Sequence, residues 1–232
     1  LKEKGVQRLA FASWRMTHFV VERLQEIAGI DLIPAEDPVR KMRAIKDPGE
    51  IELIHKATEI SAEALAELIE EIEVGMNEVD IASRFGLLLR ERGAARTSFD
   101  MTVASGPNSS LPHYRPSLGR RTLAYGDLLL FDFEAVVDGY CSDMTRTFVV
   151  GKATDKQKDV YDWVLNATEA SLLRLRAGVP RREVHRAAVD VIARAPYKDH
   201  IFLSPVGHGV GLEVHELPRM GLDPDVLEAG WS

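Results

Sequence analysis

The sequence predicts a mixed α/β fold in which a pair of helices followed by strands occurs twice. Three observations carry this reading. Each half opens with a capped helical pattern, each helix pair is followed by short apolar strand-like runs, and Asp138-Gly139 separates two such runs as a hairpin turn would. The duplication is one of element order, not of residues, and its second copy would need a closing hairpin beyond Ser232.

Residues 1–35 hold short apolar runs around Leu9-Ala10-Phe11 and Phe19-Val20-Val21 and end at Asp31-Leu32-Ile33-Pro34. They are too few for a domain of their own and read as the remnant of one. Asp37-Pro38-Val39-Arg40-Lys41-Met42-Arg43 is charged and holds a proline, which marks a linker. The division expected is therefore residues 1–45 for remnant and linker, and residues 46–232 for the main domain.

That domain opens at Asp47-Pro48-Gly49-Glu50. Asp47 can cap free backbone N–H groups, Pro48 suits the first helical position, and Glu50 can close a capping box. Ile51, Ile54, Ala57, Ala64, Leu65, Leu68, Ile69 and Ile72 then recur mostly at helical spacing, and Gly75 follows the last turn. A second helix is expected from about Asn77 to Arg92, ended by Gly93. A strand at Met101-Thr102-Val103-Ala104, a loop through Gly106-Pro107-Asn108 and the hairpin around Asp138-Gly139 come next. In the second half Thr154 and Gln157 offer another capping box. Val160, Trp163, Val164, Ala167 and Leu175 extend that helix to about Ala177, and Gly178 and Pro180 stop it. A helix from about Arg181 to Arg194, a strand at Ile201-Phe202-Leu203 and a glycine-rich stretch through Gly211 complete the order.

Composition narrows the classes. With 232 residues, 45% hydrophobic and 28% charged, the chain can bury one substantial core. Its longest apolar runs, such as Leu128 to Phe131, fall far short of the roughly 20 residues of a membrane-spanning helix. The net charge of -7 comes from acids and bases mixed along the chain, which is not the footprint of a nucleic-acid binder. The single cysteine, Cys141, excludes an intramolecular disulfide and fits a reducing compartment. With no basic-plus-apolar leader, a cytoplasmic location is expected. Leu1 is not preceded by Met, and Ala229-Gly230-Trp231-Ser232 does not read as a terminus, so both ends read as cut.

Asp132 is the most informative residue. It lies within Leu128-Leu129-Leu130-Phe131-Asp132-Phe133, where a buried carboxylate is costly without a partner or a metal. A two-residue turn at Asp138-Gly139 would set Asp132 opposite Thr145 and Glu134 opposite Asp143, and put Asp132 and Asp143 on one face. As diagonal neighbours their Cβ atoms would lie about 7–8 Å apart, within reach of one metal centre. The plainer alternatives are an Asp143 satisfied by Thr145 or Arg146, and a surface pair of Glu134 with Arg146.

His208, in Gly207-His208-Gly209-Val210-Gly211, is flanked by glycines that allow close backbone approach, and its imidazole can serve as a neutral ligand. His215 follows in Glu213-Val214-His215-Glu216. In an extended segment this odd spacing would put the two on opposite faces, so a bend must intervene if both serve one site. Taken singly, either is as well explained by a structural hydrogen bond. His113 falls in the turn-rich Ser109-Ser110-Leu111-Pro112-His113-Tyr114, where an ordinary surface histidine is the simpler reading. His18, His55, His185 and His200 lack acids at metal-site spacing and read as solvated or locally hydrogen-bonded. Cys141 has no helix start or basic neighbour to activate its thiol, and no phosphate-binding or dinucleotide-binding glycine motif is present.

The run Asp132 to Thr147, D-F-E-A-V-V-D-G-Y-C-S-D-M-T-R-T, resembles the metal-binding hairpin of the Xaa-Pro peptidase family, the aminopeptidase P and prolidase group. The loop Ala104 to His113 and the segment Gly207 to Glu216 are similar to two further motifs of that family, in the same order. Arg43-Ala44-Ile45-Lys46-Asp47-Pro48 is similar to its junction between a smaller N-terminal creatinase-like domain and the catalytic domain. The resemblance implies a pita-bread fold with a pseudo-twofold repeat. It further implies two divalent metal ions, commonly Mn2+ and sometimes Co2+ or Zn2+, with Asp132, Asp143 and His208 as ligands. His113 and His215 match the histidines that contact the substrate and help stabilise or protonate the reacting amide. The activity implied is hydrolysis of the bond between an N-terminal residue and proline, by a homodimer. Two further glutamate ligands of the family match nothing before Ser232, and Glu213, Glu216 and Glu228 do not take their place, so hydrolysis by this chain alone is in question. The competing readings are a methionine aminopeptidase-like hydrolase, disfavoured by the wording Ser142 to Thr147, and a creatinase-like or non-catalytic pita-bread binding module, disfavoured by the three retained ligands.

Overall fold

The computed structural model describes residues 4–35, 38–97, 99–200, 204–222 and 224–231. The chain divides into two units, Leu1–Arg43 and Ala44–Ser232.

In the first unit β1 (Arg8–Ala12) pairs in parallel with β2 (Asp31–Ala35), Leu9 opposite Leu32. A parallel pair needs a crossover longer than a turn, and α1 (His18–Ala28) supplies it. Thr17 caps that helix by accepting from the Val20 N–H, and Gly29 ends it at φ 60. In the segment expected as a linker, Asp37 lies outside the described residues and Pro38–Ala44 forms the helix α2. Pro38 is tolerated in a first turn, and Lys41 and Arg43 in the last turn complement the helix dipole.

The second unit begins with α3 (Pro48–Glu71) and α4 (Glu78–Glu91). The capping box of Asp47 and Glu50 is formed in both directions. Strands β3 (Thr102–Ser105), β4 (Leu128–Phe133), β5 (Val136–Val137), β6 (Tyr140–Cys141) and β7 (Met144–Val149) follow. β3, β4 and β7 form an antiparallel sheet with β4 in the centre, and β5 and β6 continue the β4–β7 hairpin to its tip. Both tip residues, Asp138 at φ 48 and Gly139 at φ 93, take the left-handed conformation of a tight two-residue turn. The register is the expected one, Asp132 opposite Thr145 and Val137 opposite Tyr140.

Strand alternation gives β4 two faces with different jobs. Leu129, Phe131 and Phe133 point into a core with Ala57, Ala64 and Leu68 of α3 and Ile81, Phe85 and Leu88 of α4. The Phe85 ring meets Phe131 edge-on at 5.9 Å and Phe133 at 4.9 Å. Asp132 lies on the face turned away from those helices.

The second half adds α5 (Asp155–Leu172), α6 (Arg181–Ile192), β8 (His208–Gly209) and β9 (Glu216–Arg219). α5 stops at Leu172, short of the expected Ala177, because Leu173 and Leu175 are exposed and no burial supports another turn. His185 was expected to be solvated or locally hydrogen-bonded; it is buried on the inner side of α6 with Val184 and Ala188, and its Nδ1 has no hydrogen-bond partner among the described residues. The strand expected at Ile201-Phe202-Leu203 lies outside the described residues. β8 and β9 pair antiparallel with a bulge at His208 and Gly209, and a small cluster of Val184, Met220 and Leu227 packs beneath them.

Candidate metal centre

The β4–β7 hairpin brings Asp132 and Asp143 together. Asp132 accepts a hydrogen bond from Thr145 Oγ1 at 3.1 Å, and Asp143 Oδ2 lies 3.3 Å from His208 Nε2. The bend required between His208 and His215 is the turn joining β8 to β9. Gly209 pairs with Glu216 across it, which folds the chain back so that the two imidazole rings sit 4.2 Å apart at 46°. His113 arrives from the loop after β3 at φ 55, a backbone conformation uncommon outside glycine. Asp132, Asp143, His113, His208 and His215 line one pocket of about 460 Å³, with Phe99 and Arg115 at its wall. Five residues singled out from the sequence thus converge.

Their electrostatics are coupled. Burial, reinforced by the neighbouring charge of Asp143, raises the Asp132 carboxyl above its ordinary range, and Thr145 only partly offsets this. The hydrogen bond that His208 donates to the Asp143 carboxylate raises His208 against the opposing effect of burial. Burial and His208 together lower His215. Two carboxylates and an imidazole lining one pocket form a hard-to-borderline donor set that suits a divalent cation. Among the described residues no three His, Cys, Asp or Glu converge on a single point as a formed metal cluster; in this geometry Asp143 and His208 satisfy each other instead.

Three buried acids escaped the sequence reading. Glu134 does not reach Arg146, which donates to the Thr145 carbonyl. The ladder breaks after Phe133, where the Ala135 N–H donates to Ser142 Oγ, and Glu134 turns inward to accept from the Phe99 N–H at 2.6 Å. Glu216 is buried 3.2 Å from Lys46 and accepts from the Glu213 N–H, holding the turn that carries His215. Glu78, at the start of α4, is fully buried against the loop that carries His113. An acid in a first helical turn normally signals a solvated partner of the helix dipole, so nothing in the sequence set Glu78 apart. For Glu216 the signal was Gly211: a Cβ there would lie 2.7 Å from the Glu216 carboxylate.

Residues 52–231 match the model of the family described as "Metallopeptidase family M24". The chain belongs to this family. It is 38% identical over 229 residues to the Xaa-Pro dipeptidase of Pyrococcus horikoshii, covering 98% of this chain and 64% of that one. It is 36% identical to the Xaa-Pro dipeptidase of Pyrococcus furiosus, covering 93% and 62%. Among solved structures, an Xaa-Pro dipeptidase from Bacillus anthracis superposes with a TM-score of 0.93 at 35% identity, covering 99% of this chain and 64% of that one. An X-Pro aminopeptidase from Thermotoga maritima gives 0.89 at 34%, covering 99% and 65%. The M24 pita-bread fold anticipated from the motifs is therefore present, and the chain spans just under two thirds of the length of these relatives.

Proposed function

We propose that the protein containing this chain hydrolyses the peptide bond between an N-terminal residue and proline, with Asp132, Asp143 and His208 as metal ligands and His113 and His215 as substrate-contacting histidines. The observation that carries the reading is the single pocket lined by all five. The names of the M24 relatives support the substrate class.

Asp132, Asp143 and His208 would contribute three of the ligands to a site for two divalent ions, Mn2+ in preference to Co2+ or Zn2+. Such ions supply Lewis acidity, which acidifies water and polarises a carbonyl. The chain's own residues do the rest. Asp132 and Asp143 set a concentrated negative charge at the pocket floor, where the raised Asp132 carboxyl marks a site that favours a cation. His215, lowered by burial and by His208, stays neutral near neutral pH and offers the reacting amide one N–H donor and one acceptor nitrogen. His113 supplies a second imidazole from the opposite loop. The division of the chain near Arg43 supports residues 1–45 as part of a separate N-terminal domain and 46–232 as catalytic. The buried thiol of Cys141 suits a reducing cytoplasm, and a homodimer is the proposed assembly.

The test is metal content and cleavage of Xaa-Pro dipeptides and longer peptides by the natural gene product, beside Asp143→Asn and His208→Ala. The expected result is about two Mn2+ bound and cleavage only with proline second, both lost in the variants together with at least ~100-fold in kcat/KM. Variants that cleave like the parent, or a parent that binds no metal, would overturn it.

A further inference from the structure

We propose that Glu78 is a positioning residue that sets His113 in the pocket. This rests on the reading of His113 as a substrate-contacting group. Glu78 is the first residue of α4 and has no exposed surface, and its carboxylate is surrounded by donors from a single segment. Its Oε1 accepts from the Ser105 N–H at 2.6 Å and from Ser105 Oγ at 2.7 Å; its Oε2 accepts from the Tyr114 hydroxyl at 2.8 Å; Asn108 Nδ2 lies 3.2 and 3.1 Å from the two oxygens. Asn108 also donates to the Tyr114 oxygen at 2.9 Å. Every one of these donors belongs to residues 105–114, the loop that delivers His113.

The arrangement brackets the histidine. Ser105 ends β3, whose Thr102 pairs with Asp132, so the upstream anchor is tied to the strand beside the metal ligand. Tyr114 is the next residue after His113. The left-handed backbone at His113 is sparsely populated for non-glycine residues, and holding it requires fixed points on both sides. Glu78 provides both through one carboxylate. Between them the loop closes on itself, with Ser109 and Ser110 hydroxyls donating to the Gly106 and Pro107 carbonyls. The position of the imidazole is thereby referred to the end of a core helix.

A carboxylate is needed because every partner donates. In Glu78→Gln the amide oxygen must stay with the two Ser105 donors, which turns the amide N–H groups toward Tyr114 and Asn108. Tyr114 can rotate to accept, but the Asn108 amide meets another donor. The release falls at the end of the loop next to His113. Tyr114→Phe removes only the downstream anchor.

The experiment uses the natural gene product with Mn2+ added, comparing Glu78→Gln, Tyr114→Phe, His113→Ala and the Glu78→Gln/His113→Ala double variant. It reads kcat and KM on an Xaa-Pro peptide, thermal unfolding, and the histidine ring NMR signals of the metal-free protein, with His113 assigned by its loss in His113→Ala. The expected result is a fall in kcat of about 10- to 100-fold for Glu78→Gln, the scale of a small misplacement of a reacting group. KM should stay within about threefold, no further loss should appear in the His113→Ala background, and the His113 signal should move in both Glu78→Gln and Tyr114→Phe. A Glu78→Gln protein that melts lower yet leaves the His113 signal and kcat in place overturns the proposal, as does a full additional loss on top of His113→Ala. If the parent cleaves no Xaa-Pro peptide, it is the proposed function that fails, and the ring signal alone then decides the role of Glu78.

Discussion

Asp132 is held in a state that costs the metal-free chain stability. Burial and the adjacent Asp143 favour its neutral form, so its folded pKa lies above the unfolded one. Between the two values the folded chain binds more protons than the unfolded chain, and stability falls as pH rises through that interval. Asp132→Asn is therefore expected to melt higher than the parent in chelator at neutral pH, with the difference vanishing below the ordinary carboxylate pKa of about 3.9. His208 has the same sign: the contribution of its bond to Asp143 is present below the unfolded imidazole pKa and fades as pH rises through the raised folded value. Added Mn2+ should reverse the order, stabilising the parent and not the variant; a variant that Mn2+ stabilises as much as the parent would contradict the reading of Asp132 as a ligand. At this scale Asp132 was legible as a candidate ligand because a carboxylate inside an apolar strand violates its surroundings. Glu78 and Glu216 were not, because their partners are backbone N–H groups and side chains distant in sequence, and burial leaves no trace in the residue itself.

Elements that obey local rules were read correctly from their own residues. Asp138-Gly139 demands two left-handed residues, and that demand sets the register of the whole β4–β7 hairpin. The capping boxes at Asp47 and Thr154 mark the starts of α3 and α5. Ends decided by packing were misjudged, as at α5, where helical spacing continued past the point at which anything covers it. The turn between β8 and β9 lies between these cases, since its bend was required by the two histidines but its anchor was unseen. Gly211→Ala tests that anchor. The new methyl would stand 2.7 Å from the Glu216 carboxylate, which Lys46 and the Glu213 N–H hold in place. Destabilisation of about 1–3 kcal/mol is expected, as for overpacking elsewhere, with a displaced His215 and a lowered kcat. Unfolding in denaturant measures the first effect and peptide hydrolysis the second. Unchanged stability would mean that Glu216 does not anchor the turn.

Across the whole second unit the proposed ligands come from both copies of the repeated element order. Asp132 and Asp143 belong to the first, whose sheet rests on the large α3–α4 core, while His208 belongs to the second, where among the described residues a smaller cluster of Val184, Met220 and Leu227 packs with Val179 and Trp231. A cation held by all three would tie the weakly cored half to the strongly cored one. Binding to the folded state alone stabilises by about 2.7 kcal/mol at a hundredfold excess over Kd, and that gain should be felt where local opening is cheapest. Mn2+ is therefore expected to raise the unfolding midpoint with the logarithm of its concentration, and to slow amide exchange more in α6, β8 and β9 than in α3 and α4. His208→Ala should abolish the difference. Protection confined to the β4–β7 hairpin would show that the cation stays with the two carboxylates and that the halves are joined by side-chain contacts such as Asp143 to His208 alone.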